Sequence, residues 1–200
     1  RSNQVMNDLV LNEIIVIVND EMRQAHIKLE FEESGREVAA LQGHVAGYKL
    51  LLSYLSAEFH LVQTILEDNG ERPMVIPDMS DDELAVFNHD VESFKGLEEW
   101  RRVLNKIDER TEDLKNHLLF GAEKTRDLDI SQGTYKGMTV FSRLFNAVEH
   151  EVERREEKKE KEKKEMPLFK DDEESPIEPV IDDDEEEQAV ADNVTAFHEV

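Results

Sequence analysis

Apolar positions recur at three- and four-residue spacings over most of this chain, the pattern of helices that bury one face. Ile14, Ile17, Val18, Ala25 and Leu29 follow it. The run Ile14-Ile15-Val16-Ile17-Val18 favours a strand locally. No partner strand is evident, and the spacing predicts a first helix over roughly 4–32. Ser34-Gly35 should break it, because glycine supplies a left-handed cap and serine can cap the next helix. A second helix is expected over about 36–68, with Val38, Leu41, Val45, Leu52, Leu55, Phe59, Val62 and Leu66 on one face and Asn69-Gly70 as its end.

Residues 70–80 carry Pro73 and Pro77 and read as a hinge. Ser80-Asp81-Asp82-Glu83 then has the capping-box pattern, in which the Ser80 hydroxyl takes a free backbone N–H and Glu83 reaches back. Two aspartates in the first turn also suit the helix dipole. The next helix has Leu84, Phe87, Val91, Phe94, Leu97, Trp100, Leu104, Ile107, Leu114 and Leu118 at core positions, with a break expected near Gly96. A further helix is expected from about Ile130 to 165. Beyond Val152 its apolar face gives way to Glu153–Lys164, where opposite charges four residues apart sustain an exposed stalk.

Asp171–Glu187 is acidic, punctuated by proline and nearly free of large apolar residues, which predicts a disordered tail. Val194, Ala196, Phe197 and Val200 then recover a helical spacing suited to folding on a partner.

Part of the chain occurs twice. Arg36–Gly47 returns about 90 residues later as Arg126–Gly137, sharing an arginine and the pattern Gln-Gly-x-x-x-Gly. The register continues at Ala57/Ala147, His60/His150 and Val62/Val152, and Ala25, Leu29 and Phe31 answer Leu114, Leu118 and Phe120 with one residue of slippage. The expected architecture is therefore all-α: two duplicated helical hairpins forming a bundle, at 1–69 and 81–152, joined by the 70–80 hinge. A charged helical stalk (153–165) and an acidic tail (166–200) complete it. Two glycines four apart share a helix face and let another backbone approach. Each costs about 1 kcal/mol against alanine inside a helix, so Gly43, Gly47, Gly133 and Gly137 are candidate packing residues, either inside each hairpin or between the equivalent helices of the two copies, with simple kinks as the alternative.

Composition narrows the chemistry. The chain has 200 residues, no cysteine, and 48 acidic against 24 basic residues, a formal net charge of −24. Disulfides, thiolate catalysis and cysteine-ligated zinc are excluded. The charge repels nucleic acid and anionic membranes. The longest apolar run is far short of the ~20 residues of a spanning helix, and no cleavage site resembles a signal peptide. A soluble, cytoplasmic protein is expected, with no cofactor. No histidine follows a glutamate by three residues, as carboxylate-bridged di-iron bundles require, and no nucleophile or phosphate-loop motif occurs. His60 and His150 are left as a histidine pair or as polar edges of a helix face, and His89-Asp90-Val91-Glu92 as a solvated face.

Two resemblances emerge. Trp100, Leu104, Ile107, Leu114 and Leu118 ahead of Gln132, Gly133 and Gly137 resemble small helical accessory proteins of unknown role encoded by tailed bacteriophages. The first copy matches at Gln42, Gly43 and Gly47, with Val10 near the tryptophan position. That resemblance implies no chemistry, and it would place the protein in a bacterial host's cytoplasm or in a virion. Glu165-Met166-Pro167-Leu168-Phe169 is similar to the bacterial sliding-clamp-binding pentapeptide, with glutamate in place of its first glutamine. That implies Leu168 and Phe169 entering an apolar pocket; folding back on the helices is the alternative.

The sequence thus points to a non-enzymatic binding or assembly protein. Its partners would be viral structural proteins or host replication or defence proteins, with a homodimer in keeping with the long apolar stripes. Met166, Leu168, Phe169 and Phe197 are the candidate partner-binding residues. An acidic nucleic-acid mimic that inhibits a host protein, and a clamp-tethered replication factor, are the alternatives.

Overall fold

The computed structural model describes the backbone of residues 2–120 and 125–165 and the side chains of 9–120 and 125–164. Among these residues the protein is all-helical. Its helices are α1 (Ser2–Phe31), α2 (Gly35–Phe59), α3 (Gln63–Leu66), α4 (Asp81–Lys95), α5 (Glu98–Phe120), α6 (Thr125–Met138) and α7 (Ser142–Glu165), with a 3-10 turn at Ile76–Asp78. The helical bundle expected from the periodicity is what forms. The acidic tail lies outside the described residues.

Every residue of α1 from Glu13 to Asn19 is buried. A helix enclosed on all sides needs no polar stripe, so the β-branched run that reads locally as strand becomes a central helix. Packing against α2 and α4 supplies that enclosure. Two buried polar side chains fasten α1 to the segment beyond α2: Glu13 accepts the Met74 N–H at 2.7 Å, and Asn19 donates to the Leu66 carbonyl at 3.2 Å.

Ser34 caps α2 by accepting the Glu37 N–H, as expected. The helix stops at Phe59, well before Asn69-Gly70. His60 adopts a left-handed conformation (φ 53°) and its N–H returns to the Ser56 carbonyl. Ser56 Oγ donates to the Leu61 carbonyl, which closes the turn. A left-handed cap satisfies the last carbonyls as glycine usually does. Gly70, with φ 72°, turns the chain farther on.

The capping box at α4 is complete: the Ser80 hydroxyl accepts the Glu83 N–H, and Glu83 accepts the Ser80 N–H at 2.8 Å. Gly96 separates α4 from α5. The helix expected over 130–165 differs in two ways. It begins at Thr125, and it is interrupted at 139–141. There the backbone passes to bonds three residues back: Val140 to Gly137, Ser142 to Thr139, Arg143 to Val140. This tighter turn redirects the chain toward the core. α7 then delivers Phe145 and Val148 to the interior alongside Phe141 from the turn.

Trp100, 1% exposed, centres an aromatic cluster. Its ring lies 5.0 Å from Phe94, 4.8 Å edge-on from Phe141 and 5.8 Å from Phe145, and Phe59 stacks on Phe94 at 5.7 Å. The start of the charged extension is fastened rather than free. Arg155 donates to Asp81, to the Pro77 and Met79 carbonyls and to Glu151, and Lys159 also pairs with Asp81. Past Lys159 the described residues carry only surface pairs four apart, such as Lys164–Glu160.

Candidate functional site

α2 and α6 cross where the four glycines stand. A Cβ on Gly43 would collide with the Ile130 carbonyl oxygen, on Gly47 with that of Thr134, on Gly133 with that of Ala40, and on Gly137 with that of His44, each closer than 3.0 Å. In every case the oxygen belongs to the residue three before the facing glycine. Gly43 faces Gly133 and Gly47 faces Gly137, so the two helices run in the same direction and meet in near-symmetric register. Contact between backbones leaves no room for any side chain, which gives the physical reason for placing glycine inside these helices despite its cost. None of the four glycines has a left-handed backbone, and both helices run through them without a break.

Polar contacts frame the crossing. Arg36 Nε meets the buried Asp129 carboxylate at 3.1 Å, and Arg126 donates to Gln42 Oε1 at 3.4 Å, one arginine from each helix reaching toward the other. At the opposite end Tyr48 donates to Glu21 at 3.4 Å, and Arg143 pairs with Glu21 at 2.5 Å, joining α1, α2 and α7. Burial first, and then the Glu21 charge, pushes the Tyr48 hydroxyl up to about 12. Burial, and after it Lys136 and Arg143, lowers the half-buried His44. Among the described residues no group of three or more histidine and carboxylate side chains is placed to hold a metal.

The remaining sequence candidates do not converge here. His60 is the cap of α2, and His150 is exposed on α7. Met166, Leu168, Phe169 and Phe197 lie outside the described residues.

A second feature leaves no clear trace in the sequence. An open groove of about 770 Å³ runs between the early part of α1, the 74–79 segment and α4. Leu9, Val75 and Val86 line it while 45%, 58% and 60% exposed. Its carboxylates are Asp78, Asp82, Glu83 and Asp90, and no basic residue lines it among the described residues. The acidic stretch 89–92 is not a uniformly solvated face: His89 and Glu92 are exposed, whereas Val91 is core and Asp90 is only 3% exposed. The one available signal is spacing, because Asp82, Val86 and Asp90 fall four residues apart and share a face of α4. Membership of that face says nothing of what lies against it.

No helix among the described residues is long and apolar enough to cross a membrane. Compared with known proteins, the chain matches no family, no curated protein and no solved structure.

Proposed function

We propose that this chain is a non-enzymatic protein-binding or assembly accessory protein, of the kind its bacteriophage-like sequence pattern suggests, and that it arose by duplication of a helical hairpin. The observation that carries the reading is the exposed apolar groove beside α4. Large aliphatic side chains held at the surface around a concavity mark contact surfaces more often than they serve a monomer. The glycine crossing supports the same reading. Two helices locked backbone to backbone make a stiff frame, and a stiff frame presents a docking face at little entropic cost. The equal offset between the paired glycine contacts is what supports duplication.

The reading is tested by capture from host lysate with the intact chain and with a chain ending at Glu165. Partners retained by both place binding on the helical body, and partners lost on truncation place it in the tail. Capsid, nuclease or clamp identities then separate assembly, decoy and clamp-tether roles. Turnover of a nucleotide or peptide substrate at an ordinary enzymatic rate, with no protein captured, would contradict it.

A further inference from the structure

We propose that the groove between α1 and α4 docks a cationic amphipathic segment of a partner protein. The segment's apolar strip would seat on Leu9, Val75 and Val86 while one of its lysines or arginines meets the buried carboxylate of Asp90. The inference rests on the protein-binding reading above and adds the chemistry of the bound segment.

Asp90 is the anchor of the site. It lines the groove, it is 3% exposed, and its Oδ1 is closed off from solvent without a hydrogen-bond partner. Buried carboxylate oxygens are ordinarily paired, because an unpaired one loses its hydration and gains nothing in return. A turn of the carboxylate toward the groove would let an incoming N–H donor complete it, and a charged donor would do so most strongly.

The surroundings select the sign of that donor. Asp78, Asp82 and Glu83 stand with Asp90 in the groove, and among the described residues none of the four has a cationic partner. The nearby cations Arg155 and Lys159 are both committed to Asp81, which is not among the lining residues. Uncompensated carboxylates beside exposed aliphatic side chains match a segment that alternates basic and apolar residues. The same charges disfavour other occupants. A second copy would bring like charges together, the Asp171–Glu187 stretch is itself acidic, and nucleic acid is repelled.

The test is fluorescence anisotropy with the full-length protein and two labelled helical peptides of equal positive charge, one spacing leucines among its lysines and the other carrying serine in their place. The leucine peptide should bind about tenfold tighter than the serine peptide, since a diffuse acidic field would not tell them apart. Asp90→Asn should weaken the leucine peptide about tenfold, the scale of one charge-assisted hydrogen bond. Val86→Ser, at a position 60% exposed, should weaken it with the unfolding midpoint unchanged, which keeps the test valid if Asp90→Asn misfolds.

Equal binding of the two peptides, or indifference to Val86→Ser in a folded protein, overturns the proposal. Binding that emerges only in the full-length Leu168→Ser, Phe169→Ser variant would make this chain's own segment the occupant and overturn it too. So would a peptide that halves the solution mass by displacing a second copy. Failure of both peptides while lysate partners are still captured overturns this inference alone and leaves the broader reading standing.

Discussion

Gly43 and Gly133 meet backbone to backbone: a Cβ built on Gly43 falls 3.0 Å from the Gly133 Cα, and one built on Gly133 falls 3.1 Å from the Gly43 Cα. Gly47 and Gly137 repeat the relationship one helical turn on. The pairing binds two helices that are distant in sequence. It also explains why residues that weaken an isolated helix occupy the middle of two of them.

Ser80 tests the entry to α4. Ser80→Ala removes the hydroxyl that accepts the Glu83 N–H and leaves only the reciprocal bond, from the Ser80 backbone N–H to the Glu83 carboxylate. The expected loss is about 1 kcal/mol by urea denaturation. Because Asp81 in the next position holds Arg155 and Lys159, the same variant should also loosen α7, read as faster amide exchange in that helix.

Trp100 tests the aromatic centre. Trp100→Ala empties a site touched by rings from α4, α7 and the turn between α6 and α7, and should cost about 3–5 kcal/mol in unfolding free energy. Trp100→Phe should cost less than half of that. A larger loss for phenylalanine than for alanine would show that the cluster does not centre on this ring.

Acid titration separates two carboxylates of opposite behaviour. Burial raises Glu13 above its ordinary 4.5, so its contribution is present below that value and is lost as pH rises through the folded value. Glu13→Gln, which mimics the protonated form and keeps an acceptor for Met74, should gain stability over the parent near neutral pH and lose that advantage below pH 4.5. Glu151 is covered by its arginines rather than by apolar core. Hydrogen bonds from Arg154 and then Arg155 hold it down at about 2. Its stabilisation is present above 4.5 and disappears as pH falls from 4.5 toward 2, so Glu151→Gln should differ from the parent near neutral pH and converge with it in acid. Urea midpoints across that range read both effects.

Much of the fold can be read from spacing, and the failures have particular causes. The capping box at Ser80, the cap at Ser34 and the break at Gly96 rest on local chemistry, and each stands where the sequence places it. The end of α2 at His60 does not, because a histidine in the left-handed region gives no signal that glycine or asparagine would give. The turn at 139–141 has neither glycine nor proline. Its cause is tertiary, since an unbroken α6 would not bring Phe141 and Phe145 onto Trp100. The glycine contacts are legible as a pattern, but their pairing across helices far apart in sequence is only one of two arrangements that pattern allows. The groove is hidden, because Asp90 looks like one more surface acid until Leu9 and Val75, from distant parts of the chain, close around it.

The measurement that bears most directly on the account is the unfolding free energy of Gly133→Ala set against Gly35→Ala. Nothing lies within 4 Å of a Cβ on Gly35, so alanine there should be neutral or stabilising by up to ~1 kcal/mol. At Gly133 the added methyl meets the Ala40 carbonyl and the His44 amide, neither of which can rotate away, and the loss should reach about 3 kcal/mol despite alanine's better helix propensity. If Gly133→Ala matches Gly35→Ala, the two helices are not held together through their backbones, and the frame proposed for partner binding does not exist.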